Sequence, residues 1–222
     1  SVAITSRKLT ELEAVAEEFA NFKGEARAYQ LDITDNEEVE RTVNIIEQDL
    51  GKIDLAILNA GTYIRFGADE FSMDLFNKQI NINLLGTVNC LAAVLSVFKA
   101  RKSGHIAVVS SLSAYRGLPY ASAYGASKAA LSNICESLKP ELDNLNIALS
   151  LIHPGFVRTP LTSKNDFQMP FIIDSEIAAK KIVKGIYLKK FEISFPFRFV
   201  IIMKLLRILP YWLYFKITKM LV

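Results

Sequence analysis

Tyr124 and Lys128 stand four positions apart in the stretch YGASK, a spacing that places both side chains on one face of a helix, about one turn from each other. A free tyrosine has a pKa near ~10 and moves protons poorly at neutral pH. A neighbouring ammonium favours the phenolate and brings that pKa toward the working range of an acid/base. Ser111 lies thirteen positions before Tyr124, at the end of the apolar run HIAVVSS. That interval is long enough to leave a strand and return over its end, where a serine hydroxyl can hold a carbonyl or alcohol oxygen. Against this stand the ordinary readings of an exposed helical pair and of a serine that only caps a turn.

Such a trio needs a scaffold, and the chain has one. Short apolar or β-branched runs at 2–5, 26–31, 53–58, 105–110, 147–152 and Glu192–Phe195 alternate with amphipathic stretches at 9–22, 37–50, Met73–Arg101, 121–145 and 175–188. This is the pattern of parallel strands joined by crossover helices, and it predicts one α/β domain with a doubly wound, Rossmann-type parallel sheet over 1–196. The second, third and fourth runs are nearly uniformly apolar, as strands covered on both faces are. Lys99, Arg101 and Lys102 followed by Gly104 give the third helix a basic last turn and a glycine stop. In such a sheet the ligand crevice lies beyond the C-terminal ends of the strands. Those ends carry Ser6-Arg7-Lys8, Asp32, Asn59-Ala60-Gly61, Ser111 and Pro154-Gly155.

The bulk properties narrow the function. A chain of 222 residues, 51% hydrophobic, builds one sizeable core. With 26 basic and 23 acidic residues and a net charge of +3, it is too balanced for a nucleic-acid binder. Cys90 and Cys135 lie inside apolar helical patterns without metal or disulfide spacing, which predicts reduced thiols in a cytoplasmic setting. His105 and His153 lack companions at ligand spacing, so no metal site is expected. Ser110 and Ser111 lack the Gly-x-Ser-x-Gly elbow of a hydrolase.

Six segments together carry a resemblance: LDIT around Asp32, LNAG ending at Gly61, NLLG from Asn83, VVSS ending at Ser111, YGASK from Tyr124, and HPGFVRT from His153. In that order and spacing they resemble the short-chain dehydrogenase/reductase family across most of the chain. The resemblance implies that Tyr124 exchanges a proton with the substrate oxygen while hydride moves to or from the nicotinamide. It implies that Lys128 lowers the tyrosine pKa and holds the nicotinamide ribose, that Ser111 orients the substrate, and that Asn83 fixes a water of a proton relay. Asn81 is the rival for that last role, and the Asn-x-x-Gly spacing favours Asn83. The cofactor would meet Asp32 and Ile33 at the adenine, Asn59, Ala60 and Gly61 at the adenine-side ribose, and Pro154, Gly155, Val157 and Thr159 at the nicotinamide amide. Relatives pair their long helices across a two-fold axis, so a homodimer or homotetramer is expected. The family's first strand and glycine-rich turn are absent, because the chain opens with SVAITSRK where the second strand should stand. A preceding strand–helix unit on the order of thirty residues is therefore expected, and activity depends on it.

Ser6, Arg7 and Lys8 end the first strand, where the adenosine ribose lies in this fold. A basic residue there accommodates a 2′-phosphate, so NADP is favoured over NAD. The expected reaction is carbonyl/alcohol interconversion; the rivals are an epimerase or isomerase using the same tyrosine and lysine, and a catalytically silent binding or scaffold protein. The loop 160–173 carries Phe167, Met169, Pro170 and Phe171, which suggests an apolar, even lipid-like, substrate. The tail 197–222 is apolar with basic residues and is interrupted by Pro210. It is too short to span a bilayer and fits either a segment lying at an anionic membrane or a cover over the cleft.

Overall fold

A computed structural model of the chain describes residues 1–19, 24–165 and 167–222. The chain runs β1 (Val2–Ser6), α1 (Leu9–Phe19), β2 (Ala26–Gln30), α2 (Asn36–Leu50), β3 (Leu55–Leu58), α3 (Met73–Ile80), α4 (Thr87–Arg101), β4 (Gly104–Val109), α5 (Ser122–Asn144) and β5 (Ile147–Pro154). It continues through β6 (Val157–Arg158), β7 (Ile173–Asp174), α6 (Ser175–Tyr187), β8 (Glu192–Phe195), α7 (Phe197–Ile208) and α8 (Tyr211–Thr218). The first helix was expected over 9–22, and its last three positions lie outside the described residues.

All ladders are parallel. β3, β4, β5 and β8 form one sheet in that order, β1 pairs with β2 in a second, and β6 pairs with β7 in the loop that the sequence left irregular. Among the described residues no ladder joins β1 to β3. The two sheets are held to one core by helices: Leu31, Val39 and Val43 pack in the same cluster as Leu91, Val94 and Phe98, with Ile106, Leu149 and Leu151 beneath them. The Asn89 side chain also donates to the Ile33 carbonyl at 3.0 Å.

Two expectations are corrected. The third run is not covered on both faces: Ala56 and Leu58 pack on the core, while Leu55 and Ile57 are 39% and 48% exposed. In a strand successive side chains point to opposite faces, and α4 covers only one of them. β2 is likewise only half-buried. The glycine stop is also misplaced, since Lys102 takes the left-handed turn (φ 51°) that ends α4. Gly104 opens β4 with φ 150°, where a Cβ would stand 2.2 Å from the Phe98 ring.

The stretch Met73–Arg101 is one continuous helical rod, apolar and long enough by composition to cross a membrane, but Leu91, Val94 and Phe98 are core residues. Its middle, Asn81–Gly86, is π-helical. Single π turns inside α-helices concentrate at functional sites, and this one carries Asn83.

Candidate functional site

Residues that follow the C-terminal ends of β4 and β5 line one cleft, where the crevice rule for parallel sheets places a ligand. Ser111 leaves β4 and caps the 3₁₀ turn Leu112–Ala114, its Oγ accepting the Ser113 amide at 3.2 Å. The capping reading is therefore realised, and the same residue still lines a cleft of about 500 Å3 together with Tyr124. Tyr124 sits in the first turn of α5 and Lys128 one turn later, buried to 3% exposure.

The floor behind these residues is set by two amides one turn apart on the rod. Gln79 and Asn83 are fully buried. Gln79 Oε1 accepts the Ile64 amide at 2.9 Å and its Nε2 donates to the Ile64 carbonyl at 3.1 Å. Asn83 does the same for Thr62, at 2.7 and 2.9 Å, and also donates to Ser127 Oγ at 3.3 Å. Each amide thus completes a two-point pairing of the kind a neighbouring strand would give, and fixes the segment after Gly61 without a ladder. Asn83 is the placed asparagine; Asn81 is exposed.

Lys128 is anchored to the backbone. Nζ donates to the Val109 carbonyl at 2.8 Å and lies 5.9 Å from the Tyr124 ring centroid. Burial lowers the Lys128 pKa to about 8, because the charged form loses hydration. Burial also raises the Tyr124 pKa, hydrogen bonding with Ser111 opposes that, and nearby Tyr63 adds to it. Desolvation outweighs the Ser111 hydrogen bond, so in the chain by itself the phenol is held above its ordinary range.

Space remains beside these groups. A methyl on Gly61 would stand 3.3 Å from Asn83 Oδ1 and 3.6 Å from Lys128 Nζ, so the glycine keeps open a slot against both. On the far rim Ser6 Oγ accepts the Lys8 amide, Arg7 is exposed, and Asp32 is held below the usual carboxylate range by the Thr34 amide and hydroxyl, with Arg7 adding to it. Asn59 and Ala60 are exposed at the end of β3. Pro154 ends β5, the Gly155 amide donates to the Phe195 carbonyl at 2.7 Å, and Val157 and Thr159 are tied to Thr162. A rim with an exposed cation, a slot and a buried ammonium fits a bound phosphorylated, ribose-bearing cofactor.

Sequence reasoning missed much of the cleft wall. Tyr63 packs edge-on against Tyr124 with ring centroids 5.1 Å apart; its position two residues past Gly61 was the available signal. Phe167 and Pro170 line the cleft as expected of the loop, while Phe199, Met203 and Leu206 of α7 form the opposite wall. The tail therefore covers the cleft with its inner face. His105 and His153 hydrogen-bond Ser150 (2.9 Å) and Ser132 (3.0 Å), and burial lowers both pKa values, that of His153 to about 4.

Comparison with known proteins follows the same lines. The family model described as short chain dehydrogenase matches residues 1–169. An uncharacterized oxidoreductase of Myxococcus xanthus is 32% identical over 209 residues, covering 94% of this chain and 83% of the relative. Among solved structures, ElxO with NADP bound is 26% identical with a TM-score of 0.73, over 86% of each chain. The alcohol dehydrogenase of the archaeon Thermococcus sibiricus, complexed with 5-hydroxy-NADP, is 24% identical with a TM-score of 0.77, over 87% of this chain and 84% of that one; at that identity it shows a shared fold.

Proposed function

The chain belongs to the short chain dehydrogenase family, and from that premise we propose that it interconverts a carbonyl and an alcohol on an apolar substrate, with Tyr124 as the acid/base. The observation that carries this reading is the meeting of the Ser111 and Tyr124 hydroxyls in one apolar cleft, with the Lys128 ammonium directly behind them. A nicotinamide cofactor, when bound, supplies or takes up the hydride. The slot beside Lys128 would hold its nicotinamide-side ribose; Gly61, which the resemblance put on the adenine side, borders that slot together with Asn83, and Pro154, Gly155, Val157 and Thr159 would meet its amide end.

The residues divide the remaining work. Ser111 Oγ donates to the substrate oxygen and fixes its direction. The Tyr124 hydroxyl gives its proton to that oxygen in reduction, leaving a phenolate, and in oxidation the phenolate takes the proton from the alcohol. Lys128, moving its ammonium from the Val109 carbonyl toward the ribose and the phenol, makes the phenolate less costly. Asn83 keeps the floor in place through Thr62. Phe156, Phe167 and Phe199 exclude water and select an apolar substrate. Ser6 and Arg7 at the rim, beside Asp32 and Ile33, favour NADP over NAD, since the guanidinium can pair with a 2′-phosphate. The NADP bound to ElxO supports a nicotinamide cofactor of this type. The outward faces of α4 and α5 carry the proposed homodimer or homotetramer contact.

The test is a cofactor-oxidation screen over ketones and aldehydes of graded chain length. Tyr124→Phe should lower turnover on every accepted carbonyl by about a thousandfold, with cofactor binding measured by fluorescence unchanged. In the same assay Arg7→Asp should weaken NADP far more than NAD. A Tyr124→Phe variant retaining near-full turnover would refute the acid/base assignment; wild-type protein that binds cofactor and turns over no carbonyl would favour the silent binding protein.

A further inference from the structure

Beyond Glu192 the chain has no acidic residue and five basic ones, Arg198, Lys204, Arg207, Lys216 and Lys219. Its inner face is spent on the protein. Val200, Met203, Tyr214 and Thr218 are buried, and the Arg116 guanidinium donates to the Arg207 and Leu209 carbonyls while lying over the rings of Tyr211 and Tyr214. Among the described residues nothing covers the outer face. On α7 the residues Phe197, Ile201, Leu205 and Ile208 are spaced i, i+4, i+8, i+11, which makes one apolar stripe, and Phe197 and Ile208 are 75% and 76% exposed. Arg198 and Lys204 flank the stripe by the same helical count. α8 continues it with Trp212, 72% exposed, and Phe215, with Lys216 beside them.

We propose that this outer face of α7 and α8 docks in the headgroup region of an anionic lipid bilayer, and that the cleft opens toward that bilayer. A stripe of large apolar side chains edged only by cations, with Trp and Tyr at the helix junction, has the composition of an interfacial helix. Lysine and arginine stems can lie along the apolar layer while their heads meet lipid phosphates. Charge separates this occupant from a second copy of the chain. A two-fold contact would set the same basic residues against each other with no acid to answer them. Among the described residues, Arg198, Arg207, Lys216 and Lys219 make no ion pair within the protein, while Lys204 is paired with Glu192.

The cleft shares this face. Ile202 and Leu221 line it and are also 41% and 61% exposed, and Ile202 stands three residues before Leu205 of the stripe, so cleft lining and stripe are neighbours on α7. This part rests on the proposed reaction: the carbonyl or alcohol would be a long-chain, bilayer-soluble molecule entering Tyr124's cleft directly from the membrane.

The experiment is flotation of the full chain with phosphatidylcholine vesicles, with and without phosphatidylglycerol, at low and high salt. Wild-type protein should float with the anionic vesicles and be released by salt. Lys216→Glu combined with Lys219→Glu, both on exposed side chains, should lower that partitioning by roughly tenfold or more, since each basic residue near an anionic surface contributes about fivefold. Circular dichroism checks that the variant is folded. Protein that stays soluble with both vesicles, or a charge-reversed variant that floats as well as wild type, overturns the proposal. So does light scattering without lipid that shows a dimer broken by Trp212→Glu, because the face would then belong to a second copy. Flotation uses no cofactor. Docked protein that reduces neither a long-chain aldehyde in the vesicles nor a short soluble one keeps the docking and removes the reaction.

Discussion

On the floor of the cleft, Gln79, Asn83 and Lys128 each meet a backbone group that would otherwise be buried without a partner. The wall made by α7 and α8 is held differently. Apart from Lys204, which pairs with Glu192 of β8, its polar ties among the described residues run to one loop, where Arg116 grips the Arg207 and Leu209 carbonyls, Tyr214 donates to Gly117, and Tyr120 donates to Val222 at 3.4 Å. The rest is apolar packing of Val200 and Met203 against Leu112 and Tyr115. The floor tolerates few residue types because hydrogen bonds are directional and an unmade buried one is costly. The wall asks only for apolar bulk, so it can serve substrate and outside surface at once.

The sharpest way to break this contrast is Asn83→Leu. It keeps the branched side-chain shape, with bulkier methyl groups, but leaves the part-buried Thr62 amide and carbonyl without their partner, at a cost of about 4 kcal/mol for the two groups. That corresponds to a fall in Tm of roughly 10 °C for a chain of this size, followed by thermal denaturation. Asn81→Leu, two positions away and exposed, should shift Tm little. Equal shifts in the two variants would mean that Asn83 is not what holds the segment.

Lys128 tests the floor through pH. Its folded pKa of about 8 lies below the ordinary 10.5, so the folded state disfavours the ammonium. Below about 8 both states are protonated and the full penalty, ~3 kcal/mol, is present. Between 8 and 10.5 the unfolded chain holds the proton that the folded chain has shed, so stability rises with pH across that window. Lys128→Met removes that penalty but leaves the Val109 carbonyl unpaired, so the check is the pH dependence: denaturant titrations should show its stability relative to wild type falling between pH 8 and 10. It should also be inactive. A stability gap that does not change with pH would show that the ammonium is solvated after all.

Much of the floor was legible because its chemistry leaves marks at short range: Tyr124 and Lys128 one turn apart, Ser111 at a strand end, Asn83 three before Gly86. What was not legible depends on contacts made at a distance. Gln79 matters only because the chain brings Ile64 back to it. The π-helical turn that carries Asn83 has no residue pattern of its own. Ile53 was placed in a strand, yet its amide donates to Glu47 and its carbonyl accepts from Arg101, so side chains take the groups a ladder would use and β3 starts at Leu55. β5 runs on to Pro154 instead of stopping at Ile152 because β8 offers Ser194 and Phe195 as partners. For the tail, apolar and basic composition was plain, but only the fold shows that Phe199 and Met203 face the cleft while Phe197 and Ile208 face out.

The gentlest change falls on the wall. Arg116→Ala removes two hydrogen bonds to carbonyls at the end of α7 and the cation over Tyr211 and Tyr214, all of it at least partly solvent-exposed. Hydrogen bonds and cation–π contacts in such settings are each worth about 1 kcal/mol or less, so global stability should drop by only about 1 kcal/mol. The local effect should be larger in proportion, since these contacts fasten the helix end that carries Leu206 into the cleft. Limited proteolysis should then cut near Pro210 sooner in the variant, and KM for an apolar carbonyl should rise severalfold while kcat changes little, because Ser111, Tyr124 and Lys128 are untouched. A fall in kcat as large as the rise in KM would mean that the wall helps to position the chemistry on the floor, and that the two regions are not independent.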